Sequence, residues 1–291
     1  VAQHTTATVE RPKSIDTVVK RITEISTLPQ VALKVIEVAK DPDAGAADLK
    51  AVVEGDPALS SRVLRMVNSA AYGVSSTVTS LHQAISYLGF NQVRNLAMTA
   101  SVSELFKKKE SLGPYQRCQL WRHMVSVGLC AKLVASRRRM PNFDDAFLAG
   151  LLHDIGLILE DQHTHPQFVA IMHDIHDGVS LIDVEKEYLG FNHCVLGERV
   201  AEAWRFPDVV QAAIRHHHAS ASYKGPGLDI VQCVEVANVI CTIKGITSVG
   251  LKLVKPQLET FLSMGFQKED ILILAKDLDA ELSSNETLFE L

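Results

Sequence analysis

His153 and Asp154 stand side by side in an otherwise apolar run, with Ala146-Phe147-Leu148-Ala149-Gly150-Leu151-Leu152 before them and Ile155-Gly156 after. An imidazole nitrogen and a carboxylate oxygen are standard ligands for Fe, Mn, Ni or Zn. A carboxylate can also bridge the two ions that phosphoester cleavage uses. Neighbouring residues on a helix diverge by about 100°, so both can reach one ion only where it lodges against a helix end. By itself a His-Asp dipeptide reads more simply as a helix-terminal polar pair bonded to backbone. It is accompanied, however, by His123 in Gln119-Leu120-Trp121-Arg122-His123, by His193 after Gly190-Phe191-Asn192, and by His216-His217-His218. With twelve histidines in 291 residues, convergence of several on one site is the expectation.

Other groups carry less. His163, His165, His173 and His176 cluster after this run, and His173 with His176 has chelating i, i+3 spacing, but Asp174 and Asp177 on the same stretch favour a solvated face. Trp121 and Trp204 read as core packing. Arg137 to Arg139 reads as a basic helix end that complements the dipole. No Ser or Cys carries the local signature of a nucleophile.

The elements that must position these residues have helical apolar spacing almost throughout. Thr27-Leu28-Pro29 announces a first helix, with Leu33, Ile36 and either Val35 or Ala39 on its inward side and a stop at Asp41-Pro42. Asp48 is expected to cap a short helix through Val53, and Asp56-Pro57 to start another from Ala58 to Ser69, with Gly73 as a stop. Ser80 to Leu88 closes at Gly89, and Asn91 is expected to cap a run from Gln92 to Phe106. Further helices are predicted at Gln116 to Ser136, Asp144 to Glu160, His165 to Asp177, Ser180 to Leu189, His193 to Trp204, Asp208 to His216 and Asp229 to Lys244. Gly113-Pro114 is the best hinge. The expected organisation is a polar N-terminal segment (1–20), an N-terminal helical subdomain (21–112), a helical subdomain with the His/Asp cluster (113–250) and a C-terminal helical appendage (251–291).

Composition limits the function. The chain is 47% hydrophobic and 22% charged with a net charge of −5, which fits a folded globular protein and argues against direct nucleic-acid binding by counterion release. No apolar run reaches the roughly 18 to 20 residues of a membrane span. Five cysteines, none in a C-x-x-C pair, suit a reducing compartment and packing as small hydrophobes. The segment Val1 to Lys13 is polar and opens without methionine, as a trimmed start would, and a cytoplasmic location is expected.

From about Ile22 to Lys244 the sequence resembles the HDOD domain, an all-helical relative of the HD-domain metal phosphohydrolases found in bacterial signalling proteins. The resemblance is carried by Leu28-Pro29, Asp56-Pro57-Ala58-Leu59, Leu64-Arg65-Met66-Val67-Asn68-Ser69-Ala70, Tyr72-Gly73, Ser80-Leu81, Leu88-Gly89 and Val93-Arg94-Asn95-Leu96. In the later half it is carried by Leu120-Trp121, Gly150 to Gly156, Glu187, Trp204-Arg205-Phe206-Pro207, Ala213-Ile214 and Ala237-Asn238. It implies an all-α, multi-helix HD-like bundle with an N-terminal helical subdomain. Many HDOD proteins have lost the metal ligands of the HD superfamily. Here the resemblance implies that six survive: His123, His153, Asp154, His193, His217 and His218. Asn238 stands where the pattern usually has Asp, and Gln119 where some phosphodiesterases have Glu, so both are at most weak or outer ligands. The Gly-Tyr-Pro signature of cyclic-di-GMP phosphodiesterases is missing, the loop reading Tyr223-Lys224-Gly225-Pro226.

These features imply a signalling or regulatory domain that retains an HD-like pocket for one or two divalent transition-metal ions (Fe, Mn, Ni or Zn). It would act through a signalling protein partner or a nucleotide or phosphate ligand. The alternative is a metal-dependent phosphohydrolase or phosphodiesterase acting on a nucleotide or cyclic dinucleotide. No catalytic residue is assigned. Two dications facing one carboxylate, Asp154, would leave most of their charge for other anions to balance.

Overall fold

The computed structural model describes residues 10–12, 14–25, 28–41 and 43–291. Thr27 of the first helix signal, Pro42 of its stop, and residues 1–9 and 13 of the polar segment lie outside the described residues. The described chain is almost wholly helical, with one short hairpin. The first helix, α1 (Ile15–Ile25), precedes the one expected at Leu28-Pro29 and packs far along the chain. Five helices follow: α2 (Gln30–Lys40), α3 (Ala46–Glu54), α4 (Pro57–Val67), α5 (Leu81–Leu88) and α6 (Phe90–Val102). The last is the centre of this layer, since α2 to α5 all pack on it.

Local chemistry sets the ends of these helices. The Asp56 carboxylate accepts from Leu59 N–H at 3.0 Å, with Pro57 in the first turn. Ser80 caps α5 by accepting from Gln83 N–H, and Gly89 ends it with φ 83°, a left-handed value that glycine adopts without a side-chain clash. Two expected caps are corrected. Asp48 sits inside α3 and accepts from Gly45 N–H at 2.8 Å. Asn91 lies within α6, which begins directly after Gly89.

Gly113-Pro114 forms the turn of a hairpin, β1 (Ser111–Leu112) with β2 (Tyr115–Gln116), leading into α7 (Arg117–Arg137). The hairpin is anchored: the Tyr115 hydroxyl donates to Asp161 at 2.9 Å, and Arg117 Nε donates to the same carboxylate at 2.8 Å. Beyond it come α8 (Phe143–Leu152), α9 (Ile155–His163), α10 (His165–Asp174), α11 (Leu181–Leu189), α12 (His193–Ala203), α13 (Asp208–His216) and α14 (Leu228–Ile243). The expected single helix from Asp144 to Glu160 is thus two helices, broken at His153-Asp154. α7 packs on α8 and α14, α12 on α9 and α13, and α1 lies on α9 and α12. The C-terminal helices α15 (Leu258–Ser263) and α16 (Lys268–Ser284) lie on the bundle, α16 against α7, and Lys244 pairs with Asp279 at 2.9 Å. Trp121 is 1% exposed and stacks beside Phe106, as a core residue should.

Two glycines around the break set the helix spacing. A Cβ on Gly150 would meet the Val127 carbonyl at 2.8 Å and Gly128 Cα at 2.9 Å, so α7 and α8 approach backbone to backbone there. A Cβ on Gly156 would fall 2.0 Å from the His193 carbonyl, so α12 begins against the first turn of α9. Gly156→Ala is therefore expected to cost about 1–3 kcal/mol or more by overpacking and to lower the thermal midpoint by several degrees. An unchanged midpoint would show that α12 does not approach this closely.

Candidate metal centre

At the break between α8 and α9, His153 keeps helical dihedrals (φ −54°, ψ −37°) as the C-cap of α8, while Asp154 leaves them (φ −101°, ψ 18°). Asp154 occupies the N-cap position of α9, where an aspartate ordinarily accepts from the helix backbone. Its side chain makes no such bond. It is turned instead toward four imidazoles: its Oδ2 lies 3.2 Å from His153 Nε2 and 3.5 Å from His123 Nε2, and its Oδ1 lies 3.2 Å from His217 Nε2 and 3.5 Å from His193 Nε2. His123 comes from α7, His193 opens α12, and His217 and His218 follow α13. Asp154 is 2% exposed and His123, His153 and His217 are fully buried.

The other ring nitrogen of each imidazole fixes which atom faces inward. Nδ1–H of His123 donates to the Ile246 carbonyl at 2.8 Å, that of His153 to Gly150 at 2.7 Å, and that of His217 to Ile214 at 2.9 Å. The His193 Nδ1–H donates to the Glu185 carboxylate at 2.8 Å. A carbonyl can only accept, so in the neutral rings of His123, His153 and His217 the Nε2 carries a lone pair, whereas His193 beside the Glu185 carboxylate can keep a proton on both nitrogens. Those lone pairs point at one another and at the Asp154 oxygens. His217 Nε2 and Asp154 Oδ1 are accordingly buried without a hydrogen-bond partner. Facing acceptors repel, and a cation between them removes the repulsion.

The spacing fits such a cation. Ligands about 2.05 Å from a tetrahedral ion stand about 3.3 Å apart. His123 Nε2, His153 Nε2 and Asp154 Oδ2 form a triangle with edges of 3.3, 3.2 and 3.5 Å. His193 and His217 gather on the far oxygen of the same carboxylate, and His218 stands behind them with its Nε2 3.2 Å from that of His193. The donor set therefore suits one ion beside His123, His153 and Asp154 and a second beside the other three imidazoles. The six expected ligand-type residues are brought together.

Asn238 and Gln119 fare differently. Asn238, on α14, is fully buried and neither amide atom has a partner. An unsatisfied buried amide is costly and calls for a ligand or water. Gln119 is exposed on the surface of α7, away from the buried cluster. His173 is largely exposed beside Asp174, in keeping with a solvated face.

Three buried residues escaped the sequence reading. Glu185 holds His193 through both its Nδ1–H and its backbone N–H, the latter at 3.1 Å. Its signal was an acid between Leu181 and Leu189 on the buried face of α11. Glu160, at the end of an apolar stretch of α9, is fully buried with neither oxygen partnered. Cys194 is 3% exposed and lies among the imidazoles. The centre opens toward solvent through a pocket of about 180 Å³ lined by His193, His218, Thr242 and the strap 248–257. A larger open groove, about 1000 Å³, lies around Arg21, Lys108 and Asp161 and includes none of the cluster.

Among known proteins, the HDOD domain matches residues 25–220. A solved HDOD domain protein of unknown function from Geobacter sulfurreducens aligns with a TM-score of 0.74 at 24% identity, covering 95% of this chain and 99% of that one. A candidate signal transduction protein from Marinobacter aquaeolei VT8 gives the same TM-score and identity over 94% of this chain and 63% of its own. A candidate phosphohydrolase from Shewanella amazonensis SB2B gives 0.72 at 22%, covering 94% and 96%. At these identities the likeness shows the fold. An uncharacterized protein of Treponema pallidum (strain Nichols) is 25% identical over 203 residues, 68% of this chain and 38% of that protein, so the chain spans well under half of that relative.

Protonation follows from burial and neighbours. Burial, then repulsion from His153, lowers His123 to about 4; burial lowers His217 to about 4 despite its contact with Asp154. Burial opposes ionisation of Asp154, but His153 and His217 hold its carboxyl well below the usual range. Burial would also depress His193, but Cys194 and Glu185 beside it hold its pKa well above the ordinary value. An unfolded histidine titrates near 6.5, so between about 6.5 and 4 protons favour the unfolded chain. The stability contributed by neutral His123 and His217 is complete above about 6.5 and is lost as the pH falls toward 4. His193 acts in the opposite sense, its contribution being lost as the pH rises through its raised pKa. In chelator-treated protein the thermal midpoint is expected to drop steeply from pH 6.5 to 4. A flat profile there would mean that the imidazoles reach water.

Proposed function

This chain belongs to the HDOD family, and from that premise we propose that it is a cytoplasmic signalling module built around a retained divalent transition-metal centre. In this reading His123, His153, Asp154, His193, His217 and His218 hold one or two ions of Fe, Mn, Ni or Zn. The observation that supports it most is the set of buried Nε2 lone pairs of His123, His153 and His217 turned on Asp154 with their Nδ1–H groups committed to carbonyls. A bound ion supplies Lewis acidity and lowers the pKa of a coordinated water.

Contact with a signalling protein partner, gated by the metal or by a phosphate-bearing ligand, is the favoured mode of action. The mouth of about 180 Å³ is smaller than the roughly 300–1,000 Å³ of ordinary small-molecule sites. It suits a phosphate-sized group more closely than a whole cyclic dinucleotide. Hydrolysis of a small phosphoester is the second reading, favoured by His193 and His218 lining that mouth.

Elemental analysis of untagged protein tests the first reading. Wild type is expected to carry about one or two transition-metal ions per chain, and the His153→Ala, Asp154→Ala double variant none. Metal-free wild type from a chelator-free preparation would leave the histidines a purely structural role. Glu185→Gln is expected to lower metal affinity by about 10–100-fold, because it weakens the group that orients His193. The metal-loaded protein is expected to leave cyclic dinucleotides intact; their turnover would move the assignment to a phosphodiesterase.

A further inference from the structure

We propose that Cys194 is a thiolate ligand of the second ion, making that position a three-imidazole, one-sulfur site. The proposal rests on the metal-centre reading above and goes beyond its six residues. The ligand atoms of His193, Cys194, His217 and His218 all lie within 4.8 Å of one another. For an ion bonded to nitrogen at about 2.05 Å and to sulfur at about 2.3 Å, tetrahedral edges are about 3.3 Å between nitrogens and about 3.6 Å between nitrogen and sulfur. The His193 and His218 Nε2 atoms are 3.2 Å apart, and Cys194 Sγ is 3.4 Å from His193 Nε2. Those edges are nearly formed already. An independent observation points into the same space: His217 is fully buried, its Nδ1–H is spent on Ile214, and its Nε2 has no partner.

The surroundings of the other buried cysteines set Cys194 apart. Cys233 Sγ lies 3.6 Å from Met140 Sδ, and Cys241 is beside Cys130. Cys194 is the buried cysteine placed with imidazoles. It occupies the first turn of α12, an 11-residue helix whose N-terminus favours negative charge. On binding, the thiol releases its proton to solvent and the thiolate bonds the ion. The sulfur adds a second negative charge to that of Asp154, the carboxylate the imidazoles surround. A soft donor of this kind selects Zn, Fe or Co over Mg, Ca or Mn.

Cobalt(II) reads the sulfur directly, through the near-ultraviolet band that thiolate-to-cobalt charge transfer gives and imidazole ligation does not. The metal-stripped 291-residue chain is titrated with cobalt chloride, and visible ligand-field absorption reports occupancy. The expected result is both signals in wild type and in Cys118→Ser, with the near-ultraviolet band lost in Cys194→Ala and the affinity for the second ion reduced at least about tenfold. Visible absorption without the near-ultraviolet band in wild type overturns the sulfur ligand and leaves the metal centre standing. Failure to bind cobalt at all overturns both. If Cys194→Ala does not fold, X-ray absorption on zinc-loaded wild type decides: a sulfur shell at about 2.3 Å supports the ligand, and a shell of nitrogen and oxygen alone overturns it.

Discussion

The molecule is organised around a repulsion. Three imidazoles, those of His123, His153 and His217, give the Nδ1 proton to a carbonyl on their outer side, and their Nε2 atoms converge on an ionised Asp154 in the buried core. Lone pairs held 3.2 to 3.5 Å apart away from water oppose folding unless something positive lies between them. The bundle must therefore supply both the close approach and the rigidity that keeps the rings from turning away.

It does so largely through backbone. Gly150 lets α8 lie on α7, which brings His123 to His153; Gly156 lets α12 start against α9, which brings His193 to Asp154. The two glycines flank the helix break, so one short segment sets both distances. The orienting groups come from farther away: Ile246 in the strap after α14 fixes His123, and Glu185 on α11 fixes both the ring and the backbone N–H of His193. This division between ligands and the groups that aim them is typical of metal sites, where the outer partners set tautomer and basicity. The strap that fixes His123 continues into the wall of the small mouth, so access and ligand orientation share one segment.

Much of this could be read from sequence because helices announce themselves by periodicity and by caps such as Asp56-Pro57 and Ser80. The all-α class and most helix boundaries follow from that. The break at His153-Asp154 was hidden because the apolar pattern runs through it, and only the tertiary demand of the cluster pulls Asp154 out of the helix. Helix α1 is not expected because its first residues are grouped with the polar segment 1–20, and the partners of its apolar stripe, α9 and α12, lie far along the chain. The six ligand-type residues are visible through a resemblance spread from about Ile22 to Lys244. Glu185 and Cys194 were not, because one looks like a solvent-facing acid and the other like a small core residue until the fold places them beside His193.

The central claim is that this cluster is shaped by a cation, and crystallography at a metal absorption edge tests it most directly. In crystals grown without chelator, the account expects an anomalous peak within about 2.0–2.2 Å of His123 Nε2, His153 Nε2 and Asp154, with the rings oriented as described. An ordered water at that point, or rings turned so that Nε2–H groups bond to one another and to Asp154, with no anomalous signal, would contradict it.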